Sequence, residues 1–177
     1  MDTFYAEFNK ESDRARVILA AAMLEEMLEA MLRSYFVPIA SADDSLFMGA
    51  NAPLASFSAK IDIAHRIVVI STRLCRDLHL VRKIRNDFAH NVAGCSFESS
   101  GVRSRVIELL RSSGIIDPNP DFKEVIKTAR DEFAMTASRI LWHLTRLRGQ
   151  TRPLKDPELE FGYTLTEESE ENKQGEG

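Results

Sequence analysis

Arg85, Asn86 and His90, inside the run Arg85-Asn86-Asp87-Phe88-Ala89-His90, are the residue types in this chain best suited to chemistry. Arginine offers a permanently charged fork to a phosphate. Histidine, with a reference pKa of about 6.5, serves as general base or acid near neutrality. Asparagine orients a hydroxyl or fixes a histidine tautomer. Cleavage of RNA by its own 2′-OH needs these roles and no metal. Helical spacing constrains them, because Arg85 and His90 lie roughly 140° apart around a helix axis and about 7.5 Å along it. Asn86 and His90, at i and i+4, share one face. A straight helix therefore separates the Arg85 and His90 tips unless the end frays or the long arginine wraps round. A purely structural use of the same residues stands beside this one. Arg85 would then pair with Asp87, Glu11 or Asp13, and His90 would satisfy carbonyls at a helix C-terminus, where positive charge is favoured.

The segment carrying this run is expected to be helical from a cap at Ser71-Thr72. Leu74, Leu78, Val81, Ile84 and Phe88 make its inward stripe, and Arg73, Arg76, Arg82, Lys83 and Arg85 supply outward charge. Before it, residues 11–36 read as an amphipathic helix with Ile18, Ala21, Leu24, Leu28, Met31, Leu32 and Tyr35 on its apolar side, closed by Pro38. A second helix is expected from a Ser58 cap to Ile70, with Phe57, Ile61, Ala64 and Val68 inward and Ile63, Ile67 and Ile70 widening the stripe. After a loop at 91–101, Val102–Arg111 gives a shorter fourth helix. Asp121 and Glu124 form a capping box that opens a fifth, reaching Arg148 before Gly149 and Pro153. No run alternates with period two for long enough to make a strand. The expected architecture is all-α, an antiparallel bundle of about five helices. Residues 1–153 form that domain, and 154–177 an acidic, disordered tail.

A chain of 177 residues is long enough to bury a core without disulfides or metal. No stretch approaches the roughly 18 apolar residues of a membrane span. Met1–Lys10 carries Asp2 and Glu7 and lacks a basic stretch followed by an apolar run, so no signal peptide is expected. Cys75 and Cys95 have no metal-ligand spacing and are expected to be reduced thiols of a cytoplasmic protein. His65, His79, His90 and His143 fall on three expected helices, so neither metal nor cofactor is expected. Glycine-rich phosphate loops, a Gly-x-Ser-x-Gly elbow and a His-Glu-x-x-His helix are all missing. Tyr163–Gly177 holds five glutamates against Lys173, which accounts for the whole net charge of -4 and leaves residues 1–162 neutral. Nucleic-acid-binding domains usually look basic. A helix-turn-helix built from the fourth and fifth helices would offer Arg103, Arg105, Arg111, Lys123, Lys127 and Arg130. Its turn, Gly114–Asp121, is about twice the three or four residues such a motif allows. Direct DNA reading is not expected.

Three segments in order, Glu11–Ala22 (ESDRARVILAAA), Pro53–Asp62 (PLASFSAKID) and Ile84–His90 (IRNDFAH), resemble the bacterial mannitol operon repressor family over about residues 8 to 147. That resemblance implies an all-helical transcription regulator, homodimeric, acting through protein partners rather than through a DNA-reading element. The Arg85-Asn86-x3-His90 run is also similar to the signature of the HEPN superfamily of dimeric helical bundles. Many members of that superfamily are metal-independent ribonucleases, and others are inactive binding modules. Two motifs meet there across a dimer, so residues splayed on one helix converge with their twins. This second likeness implies His90 as base or acid, Arg85 steadying the phosphorane charge and Asn86 orienting, with RNA as a candidate partner. Glu11, Asp13 and Arg14 are then expected to line the same cleft if the first helix packs alongside, with Arg82 and Asp87 as further binding residues.

Overall fold

A computed structural model describes residues 11–39, 43–49, 51–91, 94–113 and 127–155. These residues form an all-α bundle: α1 (Asp13–Tyr35), α2 (Phe57–Arg66), α3 (Thr72–His90), α4 (Ser100–Ser113) and α5 (Ala129–Gln150). Four of the helices start the same way. The hydroxyls of Ser12, Ser56, Ser71 and Thr128 accept from the backbone N–H three residues on, at 3.1 to 3.2 Å, which satisfies one of the donors a helix start leaves open. No described helix is long and apolar enough to cross a membrane.

α1 and α3 are the central elements. α1 packs on α2, α3 and α5, while α3 packs on α1, α2 and α4. Sequence neighbours run antiparallel: His65–Thr72 and Asp62–His79 tie α2 to α3, and Arg76–Glu108 and Asp87–Arg105 tie α3 to α4. α5 instead lies parallel to α1. Arg130 meets Asp13 at one end, and Leu154 N–H donates to the Tyr35 carbonyl at the other (2.7 Å). The expected boundary at residue 153 thus falls one residue before a backbone tie to the bundle, and residues 156–177 lie outside the description.

Three details differ from the sequence reading. The cap of α2 is Ser56, not Ser58, and the helix stops at Arg66. It closes in a Schellman turn: Val69 N–H bonds the Ala64 carbonyl (2.9 Å) and Val68 N–H the His65 carbonyl (3.0 Å). Val68 takes the left-handed position (φ 62°) and is 86% exposed, so it leaves the stripe, while Ile70 returns to the core. On α1 the buried arc runs through Val17, Ala20, Ala21, Leu24, Leu28 and Met31, because α5 lies alongside, and Ile18 is left 40% exposed. Finally, α5 begins at Ala129: Thr128 is extended and shares a capping box with Asp131. The Asp121–Glu124 box falls outside the described residues.

Candidate functional site

The last turn of α3 is held firmly from below. Phe88 is fully buried and its ring stands 5.2 Å from Phe97, which stands 5.4 Å from Phe133 of α5. Asn91 donates to the Asp87 carbonyl through both its backbone and its side chain (3.1 Å each), and Arg14 donates to the Asn91 carbonyl (2.7 Å). Among the described residues the helix end is therefore served by Asn91 and Arg14, and His90 takes no part. The alternative partners of Arg85 are also engaged: Asp87 pairs with Arg105, and Asp13 with Arg130 at 2.6 Å. Arg85 Nη1 donates to Asn86 Oδ1 (3.1 Å). Both Arg85 and His90 are exposed and neither joins an ion pair among the described residues.

Arg85, Asn86 and Arg82 face a groove of about 330 Å³ between α1, the start of α2, and α3. Ile18, Ala22 and Glu25 form its α1 wall, and Ser56 and Ser58 its α2 wall. Glu25 is paired with Lys60 (2.8 Å), which it shares with Glu29, and the two guanidinium groups of Arg82 and Arg85 outnumber that carboxylate in the lining. The N-terminus of α2 opens on it, adding the positive end of a helix dipole. Arg82 Nε is buried without a hydrogen bond among the described residues. Such a groove suits a carboxylate or phosphate.

The expected residues divide. His90 sits on the terminal turn, one turn beyond Asn86, and does not line the groove. Asp87 faces a different hollow, with Arg105, Cys95 and Ser99. Glu11 is exposed and its carbonyl accepts from Arg130 (3.4 Å); Asp13 and Arg14 are engaged at the start of α1. Within one protomer Arg82, Arg85 and Asn86 share one groove, and Glu11, Asp13, Arg14, Asp87 and His90 lie outside its lining. Ile18, Glu25, Ser56 and Ser58 were not singled out as site residues by sequence, although Ile18, Ser56 and Ser58 lie inside the segments that carry the family resemblance.

Behind the groove a charged network fixes α2 on α1. Lys60, 5% exposed, bonds Glu25 and Glu29, and Arg33 bridges Glu29 to Asp44. Burial alone would lower the Lys60 ammonium, but its two carboxylate partners hold it above its usual value. Burial alone would likewise raise Glu29, and hydrogen bonds from Lys60 and Arg33 bring it below the ordinary carboxylate range.

One further cluster of donor atoms stands apart. The His79 Nε2 and Asp62 Oδ1 are 3.0 Å apart, and the Cys75 sulfur joins them, all three ligand atoms lying within 4.8 Å of one another. Comparison with family models, with curated proteins and with solved structures finds no match for this chain.

Proposed function

We propose that this protein is a regulatory module of the mannitol-operon-repressor type, acting in the cytoplasm as a homodimer and controlling transcription mainly through protein contacts. One observation carries the reading. The three segments that bear the resemblance, far apart in sequence, all line one groove: Ile18, Ala21 and Ala22 from the first, Ala55–Ser58 from the second, Arg85 and Asn86 from the third. Beside it Ile18 and Leu19 are 40% and 39% exposed, giving apolar area next to charge, the mixture that protein interfaces use. The free thiols Cys75 and Cys95 suit a reducing compartment. Affinity capture from cells should return a specific protein partner, and Arg85→Ala should lose it. Tight operator binding by the pure protein with no partner captured overturns the reading.

A second reading, a metal-independent endoribonuclease, is favoured by the solvent-exposed tips of Arg85 and His90. In a dimer, one His90 takes the proton from the 2′-OH and O2′ attacks phosphorus. Arg85 steadies the phosphorane, and the 5′-oxygen leaves with a proton from the other imidazolium. The products are a 2′,3′-cyclic phosphate and a 5′-hydroxyl. Single-stranded RNA should be cut equally with and without chelator, and His90→Ala should slow cleavage by about 100-fold or more. Intact RNA after incubation with the wild-type protein retires this activity.

A further inference from the structure

Cys75 and His79 are four residues apart on α3, so their side chains share one face. Asp62 reaches toward them from α2, the antiparallel neighbour on the other side of the Schellman turn. A second cross-link, His65 Nε2 to Thr72 Oγ1 at 3.1 Å, holds the same two helices together nearer the turn. One sulfur, one imidazole nitrogen and one carboxylate oxygen thereby meet at the surface, with Asp62 the most exposed of the three.

We infer that Asp62, Cys75 and His79 form a binding site for a divalent ion of the zinc class, clipping α2 to α3. Zinc–ligand bonds of about 2.0 to 2.3 Å at tetrahedral angles place ligand atoms roughly 3.3 to 3.6 Å apart. The present spacing, 3.0 Å for Asp62–His79 and no more than 4.8 Å for any pair, reaches that geometry through small side-chain adjustments. Thiolate and imidazole together select zinc or cobalt over magnesium or calcium, which take oxygen donors. Three protein ligands leave the fourth position to water or to a donor from a bound partner.

The same triplet does not read as a cysteine nucleophile. Burial and then the charge of Asp62 push the Cys75 thiol up, whereas activation demands a lowered value.

Cobalt(II) titration of the intact, chelator-stripped chain tests the site. One ion per chain is expected, with thiolate-to-cobalt charge-transfer absorption in the near ultraviolet. Cys75→Ser should abolish that band, and Asp62→Asn, with its helix content checked by circular dichroism, should weaken binding about 10-fold or more. Cys95→Ser, outside the cluster, should leave both unchanged. Absence of saturable binding, cobalt bound without the thiolate band, or affinity unaltered in Asp62→Asn overturns the assignment.

Discussion

Asp87 turns its carboxylate to Arg105 of α4 and away from Arg85, two residues earlier on the same helix. The pair fastens α3 to α4 and frees the Arg85 guanidinium for the groove on the opposite side. Both side chains are about one-third exposed (32% and 31%), so solvent screens their attraction. Asp87→Asn should therefore cost no more than about 1 kcal/mol, a fall of roughly 2–4 °C in the melting midpoint. Functions that depend on Arg85 should survive the change. Loss of partner capture or of RNA cleavage in Asp87→Asn, with the fold intact by circular dichroism, would show that Asp87 serves the site after all.

Val68 occupies the one Schellman position where glycine is normally found, and its side chain gains almost no burial there. A left-handed backbone costs an ordinary L-residue about 1–2 kcal/mol. Glycine removes that strain but loses more chain entropy on folding, about 0.5–1 kcal/mol. Val68→Gly should come out stabilising by roughly 0.5–1 kcal/mol, read as a higher urea midpoint with an unchanged slope. A lower midpoint means that Val68 makes contacts its exposure conceals.

Much of the scaffold was legible in the sequence because apolar residues recur at the helical period: Leu74, Leu78, Val81, Ile84 and Phe88 are all buried as that period requires. The errors came where neighbours decide. Ile18 fits the period of α1 as well as Val17 does, and only the parallel placement of α5 selects Val17 for burial. Ser56 and Ser58 are equal candidates for a cap until the hydroxyl that meets an N–H is known. At the site, the exposure of Arg85 and His90 could not be read, because it depends on where Arg105 and Arg130 send their charges. The Asp62–Cys75–His79 cluster was hidden for a related reason. A cysteine and a histidine four apart signal a shared face, but their third companion comes from another helix.

The Lys60 network makes stability depend on pH in a specified direction. Glu29 is held below its ordinary value in the folded chain, so its contribution is present above the unfolded pKa of about 4.3 and is lost as pH falls through the folded value. Lys60 is held above its ordinary value, so its contribution is present below about 10.4 and is lost as pH rises through the folded value. Lys60→Met leaves Glu25 and Glu29 partly buried without their ammonium, although Arg33 stays on Glu29. A loss of roughly 1–3 kcal/mol is expected near neutral pH, below the range for a fully buried pair because both carboxylates keep some solvent. The penalty should shrink in acid, as Glu29 takes up a proton. Urea melts of both proteins from pH 3 to 8, giving a pH-independent difference, would mean the network contributes through packing and not through charge.

A dimer formed through the exposed edge of α1 would lie beside the groove that holds Arg85 and Asn86. Ile18 and Leu19 supply the apolar part of that edge. Because both are partly open to solvent, Ile18→Glu with Leu19→Glu should change monomer stability by only about 0.5 kcal/mol per site. The same charges buried against their twins would repel, so the dissociation constant seen by sedimentation should rise by about 10-fold or more. Trp142 offers the competing surface: it is 52% exposed on α5, with Arg146 stacked 5.9 Å from its ring centre. Should the α1 double variant stay dimeric while Trp142→Ala dissociates, the interface belongs to α5.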